Sequence, residues 1–140
     1  MNSDQFEASL NEIAALPAGW YYGQGIALTT EQIQFVGTLL SNLVEAIEFE
    51  FPSLFPIPDG GIQAEWEIGS WSISLGFYVL DRRIICVAVD SITAESVESE
   101  NQFDTPELGM SMHTFLTSCR DRASNNLGSS ENHFETNLVQ

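Results

Sequence analysis

Glu65 and Glu67 are the two side chains whose type and spacing come closest to catalytic chemistry. Apolar and polar residues alternate through residues 62–68, which predicts a strand with both carboxylates on its polar face, roughly 6–7 Å apart. Such a pair could hold a water molecule, as in inverting sugar hydrolysis, or a divalent ion together with Asp59. The same pattern is ordinary on a sheet face that meets solvent or a partner protein, and we favour that interpretation.

The other reactive residue types form no catalytic or metal-binding set. Cys86 lies in an apolar strand segment and Cys119 on an apolar helical stripe, so both thiols are expected in the core and reduced. His113 and His133 do not have the spacing of metal ligands. A phosphate-binding loop requires a lysine and the chain has none, so residues 19–25 (GWYYGQG) are interpreted as an aromatic-packed loop. We predict no catalytic residue, no metal and no cofactor.

The charge of the chain restricts its partners. Twenty acidic residues face four arginines, which gives a formal charge of −16. Such a field repels nucleic acid and anionic membranes and attracts basic protein surfaces. We therefore expect a basic protein partner and no direct contact with nucleic acid or membrane. High acidity that serves only solubility is the plain alternative.

Three groups of acids are candidates for binding that partner. The first lies at the end of a predicted helix, where negative charge opposes the helix dipole. The second is the strand pair, and the third is a dense run of acids with no base among them. The groups are Glu45, Glu48 and Glu50; Glu65 and Glu67; and Glu95, Glu98, Glu100, Asp104 and Glu107.

Apolar periodicity predicts three helices. The first covers residues 3–16, with Ser3 as its N-cap. The second begins at Thr29, which forms a capping box with Gln32, and carries an apolar stripe as far as Phe51. The third begins with a cap at Thr105 and follows an apolar stripe to residue 119.

Two strands are predicted at residues 62–68 and 71–80, joined by a tight turn at residues 69–70. Residues 84–89 (IICVAV) are apolar on both faces, so this strand is expected to be central in the sheet or covered on both sides. Residues 51–61 are interpreted as a proline-rich connector, and residues 93–104 as a polar, acidic segment.

Together these elements predict an α+β fold: an antiparallel sheet of three to four strands, with a long amphipathic helix on its apolar face and further short helices. Trp66, Trp71 and Phe77 are expected in the core, with Trp20 as a lid. Residues 1–120 are predicted to form one domain and residues 121–140 a loosely ordered polar tail. The chain shows neither a signal-peptide pattern nor an apolar run of about 18 residues, so we expect a cytoplasmic protein.

Two short motifs resemble those of a scattered, uncharacterised family of small bacterial and phage accessory proteins. One is a G-W-x-x-x-G loop before a long helix, and the other is a D-G-G-I-x-x-E-W strand. The resemblance covers residues 16–70 and implies a gene of a mobile element, without implying an activity. The matching residues are Gly19, Trp20, Gly23, Asp59, Gly60, Gly61, Ile62, Glu65 and Trp66.

These features favour a non-enzymatic inhibitor that binds and neutralises a basic, nucleic-acid-handling protein. Two settings stay open: a phage anti-defence protein of the anti-CRISPR kind that imitates the charge of DNA, and an antitoxin or immunity protein that covers a nuclease toxin. The alternative is a small hydrolase or metal-dependent enzyme that uses Glu65, Glu67 and Asp59. The sequence leaves the oligomeric state open between monomer and dimer.

Overall fold

Five antiparallel strands follow one another along the chain and pair in that order, and the buried sides of three helices form one hydrophobic core with the sheet. The computed structural model describes residues 2–103 and 108–131, with side chains described as far as residue 124. The predicted α+β class is confirmed, but the sheet has five strands rather than three to four. The elements are α1 (Ser3–Ala14), α2 (Thr30–Ile47), β1 (Ser53–Ile57), β2 (Gly61–Ile68), β3 (Trp71–Tyr78), β4 (Arg83–Asp90), β5 (Ser96–Gln102) and α3 (Leu108–Glu131).

Two capping boxes start the first two helices. Thr29 and Gln32 form the predicted box at α2, where each side chain accepts from the other residue's backbone N–H. At α1 the cap is Asn2 rather than Ser3, and its side chain accepts from the Gln5 N–H at 2.8 Å. Asn and Ser are equally good caps, so the Gln three residues after Asn2 decides the position.

Helix α2 ends at Ile47, one turn earlier than its apolar pattern predicts. Glu48 adopts the left-handed conformation (φ 56°, ψ 45°), which stops the helix. The chain then turns back, and Phe51 packs on Phe6 of α1 with ring centroids 4.9 Å apart. Phe51 therefore contributes to the core from a loop and not from the helical stripe.

The two strands that the sequence reading missed are the edges of the sheet. Strand β1 contains Pro56, which an edge strand tolerates because one side of its backbone pairs with no other strand. Strand β5 carries Glu98 and Glu100, and charged residues on an edge strand discourage pairing with other chains. Residues 53–57 are thus a strand and not part of a connector, and residues 96–102 of the polar, acidic segment also form a strand.

Helix α3 extends to Glu131, beyond the end of its apolar stripe. Residues 121–131 are therefore helical, although they were expected to begin the polar tail. The predicted cap Thr105 and residues 132–140 lie outside the described residues, so the tail prediction there stays a prediction. No helix within the described residues is long and apolar enough to cross a membrane.

The core lies between the helices and the inner face of the sheet, which we define as the face that the helices cover. Trp66, Trp71 and Phe77 are buried there, as predicted. Trp20 is half-exposed and does not act as a lid. Its ring packs against Gly25, and its indole N–H donates to the Ile26 carbonyl at 3.4 Å, so it stabilises its own loop.

Candidate partner-binding surface

The outer face of the sheet, opposite the helices, is covered by no helix among the described residues. Its middle is a shallow band of small and aliphatic side chains. Strand β3 contributes Ser72, Ser74 and Gly76. The neighbouring strand β4 contributes three aliphatic residues, which are half-buried or, in the case of Val89, 41% exposed. These three residues are Ile85, Val87 and Val89.

Strand β4 is therefore apolar on both faces but covered on only one. Its inner residues, such as Cys86, are fully buried, in line with the predicted interior position of this strand. No second layer from the described residues covers its outer residues, although a strand that is apolar on both faces normally has one. An exposed apolar band bordered by polar residues is typical of a protein-interaction surface.

Carboxylates border this band on both sides. One row of the sheet runs Glu65, Ser74, Val87 and Glu98, so an acid stands on each side of the apolar middle. Three strand spacings separate these two acids, which places their backbones roughly 14 Å apart. Two acidic groups that are distant in sequence thus share one face of the molecule.

A groove of about 660 Å³ opens at the start of β1, where β2 continues past Ser53. It brings together the helix-end acids Glu48 and Glu50 and the strand acids Glu65 and Glu67. No ion pair between described residues involves any of these four carboxylates. The remaining lining residues are aromatic, aliphatic or small, apart from one arginine: Phe49, Phe51, Ser53, Phe55, Trp66, Ile68 and Arg120.

Buried contacts hold the groove in shape. The Trp66 indole N–H donates to the Glu50 carbonyl at 2.8 Å, which fastens the segment after α2 to strand β2. The Phe49 ring meets Trp66 edge-on at 6.0 Å. On the other side of the groove, Arg120 of α3 lies 5.2 Å from the Phe49 ring and donates to the Ile47 carbonyl at 2.6 Å.

The third acidic group contains no base of its own, as the sequence shows, but arginines from other elements partly neutralise it. Glu95 pairs with Arg122 of α3, and Glu100 pairs with Arg83 at 3.4 Å. The sequence could not show these pairs because the arginines come from other elements. Glu98 has no such partner among the described residues, and Asp104 and Glu107 lie outside them. The helix acid Glu45 is exposed but does not line the groove.

The catalytic alternative loses its third ligand. Asp59 lies in the turn before β2, so Glu65 stands roughly 20 Å further along the chain. Within the described part of the chain, no group of three or more metal-ligating side chains could hold a metal ion.

The cysteines are packing residues. Both are free and buried, as predicted. Burial, with a smaller contribution from the neighbouring Cys119, raises the pKa of Cys86 to about 12. Burial also raises the pKa of Cys119 to about 11, against a smaller opposing effect of Arg122. Thiols with such pKa values stay protonated and are poor nucleophiles near neutral pH.

Sequence reasoning missed the aromatic and cationic walls of the groove. Phe49, Phe55 and Arg120 come from three separate segments, and no local pattern connects them. The signal for the outer face was present, because the double-sided apolar pattern of residues 84–89 indicated a covering layer. The chain itself does not supply that layer in the described residues.

Comparison of the chain with protein-family models, with curated proteins and with solved structures finds no match in any of the three.

Proposed function

We propose that the chain is a non-enzymatic inhibitor that covers the basic surface of a nucleic-acid-handling protein. The observation that carries the proposal is the uncovered outer face, where an apolar band lies between Glu65 and Glu67 on one side and Glu98 on the other. Exposed aliphatic residues favour a protein partner, because burying them stabilises a complex by roughly 25 cal/mol per Å² of apolar surface. The bordering carboxylates favour a basic one.

The same arrangement disfavours a symmetric dimer through this face. In a two-fold interface the two copies of the acidic border would approach each other, and like charges would repel. Nucleic acid would meet the same repulsion from a chain of net charge −16. A helix, with a diameter of about 10–12 Å, fits the roughly 14 Å between the acidic borders. A partner helix with an apolar stripe and cations on both flanks would match the face.

Two biological settings share this physics. An anti-defence protein of a phage would present carboxylates where a DNA-binding complex expects phosphates. An antitoxin or immunity protein would cover the basic cleft of a nuclease. The resemblance of the loop and strand motifs to small phage and bacterial accessory proteins supports both settings equally. In each of them the chain acts by occupancy and not by catalysis.

Affinity capture with the immobilised chain tests the proposal. Lysate of the source cells would be passed over the chain at low and at high salt, and retained proteins identified by mass spectrometry. We expect a basic protein that is retained at low salt, released at high salt, and released by added duplex DNA. Capture of no basic protein, or a mobility shift of DNA by the chain itself at physiological salt, would refute the proposal.

Two pairs of variants separate a specific face from general acidity. The combined change Glu65→Gln and Glu98→Gln removes two charges from the outer face and should weaken retention. Glu7→Gln with Glu12→Gln removes two charges from the exposed side of α1 and should leave retention unchanged. Equal weakening by both pairs would show that only net charge matters, and the proposed face would be wrong.

A further inference from the structure

We infer that the groove at the start of β1 binds an arginine side chain of the partner protein. This inference rests on the proposed function and specifies what the partner inserts beside the outer face. Glu65 and Glu67 belong to both surfaces, so the groove opens directly from the acidic border of that face. An arginine at the edge of a partner's basic surface would reach it without any movement of the sheet.

The groove already accommodates one guanidinium group. Arg120 lies against the Phe49 ring, and its donor goes to the Ile47 carbonyl and not to a carboxylate. The wall therefore has the aromatic face and the carbonyl acceptor that suit a planar cation. With four glutamates against this single arginine, the lining keeps an excess of negative charge for a cation from outside.

An exposed aromatic ring stands at the mouth of the groove. Phe55 of β1 is 47% exposed. It is paired with Gln63 and is therefore the diagonal neighbour of Glu65, at a Cβ separation of about 7 Å. The Gln63 side-chain amide already donates to one oxygen of Glu65 at 2.5 Å, so a guanidinium between Phe55 and Glu65 could stack on the ring and donate to the other oxygen. A guanidinium has the planar shape for both contacts, whereas a lysine ammonium is a more strongly hydrated point charge.

The chain has little means of filling the groove itself. It has no lysine, and its four arginines are Arg82, Arg83, Arg120 and Arg122. The last three already contact carboxylates or a carbonyl within the molecule. Arg82 is exposed in the turn between β3 and β4, so a second copy that offers Arg82 is the competing occupant.

A peptide titration followed by NMR tests the inference. The probe is acetyl-Gly-Arg-Gly-amide, with the citrulline peptide as a neutral control of nearly the same shape and the lysine peptide as a cationic control. The readout is the indole N–H signal of Trp66, assigned with Trp66→Phe. The indole signals of Trp20 and Trp71 serve as internal references, because neither residue lines the groove.

We expect saturable shifts of the Trp66 signal with the arginine peptide, weaker shifts with lysine and none with citrulline. Glu48→Gln with Glu67→Gln should weaken arginine binding roughly fivefold or more, because charge-assisted hydrogen bonds are lost. Glu7→Gln with Glu12→Gln should not change it. Equal shifts with citrulline, equal shifts of all three indoles, or equal weakening by both variant pairs would overturn the inference.

Sedimentation of the free chain addresses the competing occupant. A dimer of the wild type that Arg82→Gln converts to a monomer would assign the groove to a second copy and overturn the inference. A monomer in both cases supports an external arginine. Absence of peptide binding while the outer face still captures a basic protein would end this inference but leave the proposed function intact. Peptide binding without capture of any basic protein would refute the proposed function, and the groove would then be an arginine-binding site whose partner is not a basic, nucleic-acid-handling protein.

Discussion

Replacement of Glu48 by glycine should raise the stability of the protein and weaken the binding of arginine in its groove. Glu48 combines two features that cost stability. It is a non-glycine residue in the left-handed conformation (φ 56°, ψ 45°) at the end of α2, where glycine is the usual residue. It also places a negative charge at the negative end of the helix dipole. Its backbone N–H still donates to the Val44 carbonyl, a contact that glycine would keep.

The size of the effect follows from these two terms. The left-handed conformation costs an ordinary residue about 1–2 kcal/mol, and glycine avoids that cost. Glycine loses about 0.5–1 kcal/mol more conformational freedom on folding, which offsets part of the gain. Removing an exposed charge from the helix end adds about 0.3 kcal/mol. We therefore expect Glu48→Gly to raise the free energy of unfolding by about 1 kcal/mol.

Urea unfolding of three proteins measures this change. Glu48→Gln removes the charge but keeps the side chain, so it should gain only about 0.3 kcal/mol. The difference between the glycine and glutamine variants then isolates the backbone term. Both variants should bind the arginine peptide more weakly than the wild type. A glycine variant that is less stable than the wild type would refute the left-handed cap, and unchanged peptide binding would remove Glu48 from the groove.

Three further changes test other parts of the structure. Trp66→Ala should lower the free energy of unfolding by about 3–5 kcal/mol, because Trp66 is buried. Trp66→Phe should lower it by about 1 kcal/mol, because the hydrogen bond to the Glu50 carbonyl is lost. A loss below about 1 kcal/mol for the alanine variant would show that Trp66 is not buried. Hydrogen bonds from the Ser70 hydroxyl and the Ile92 amide hold the pKa of the buried Asp90 below its usual range, so it stabilises the fold above about pH 4 and loses this effect as the pH falls through its folded-state pKa. Asp90→Asn should therefore lower the urea midpoint at pH 7, and its difference from the wild type should narrow towards pH 2; a constant difference would contradict the assignment. Tyr22 has φ 53° in the two-residue turn of the aromatic loop, a position where asparagine is preferred. Tyr22→Asn should therefore raise the midpoint of thermal unfolding slightly. A lower midpoint would mean that the exposed Tyr22 ring stabilises the loop.

The helices and interior strands could be predicted because the apolar residues of each element recur with a single period, helical or alternating. The stripe of α2 and the alternation of β2 each reflect burial against the same core. The edge strands could not be predicted in this way. Pro56 in β1 and the acids of β5 are unfavourable in a central strand, and only the position of these strands at the sheet edge makes them acceptable.

The acids of the candidate site were predictable as residues, but their arrangement and the aromatic and cationic walls of the groove were not. The sequence singled out the helix-end acids and the strand acids separately. Their meeting depends on the turn at Glu48 and on the register of β1 with β2, and neither leaves a local signature. The ion pairs of Glu95 and Glu100 were missed for the same reason, since their arginines lie on α3 and β4.

Four residues that are unfavourable for local stability lie close together in space, although strain also occurs elsewhere, as at Tyr22. Glu48 is strained, Glu50 and Glu67 have no ion-pair partner in the described chain, and Val87 lies on an uncovered face. Strain and unpaired charge scattered at random would indicate only a tolerant surface. Natural sequences keep such local conflicts mainly where function requires them. Here the first three residues line one groove, and Glu67 joins that groove to the face that carries Val87. The meeting of strain, unpaired charge and an exposed apolar strand at this corner is the physical reason to place the partner there and not on the acidic but unstrained surface of α1.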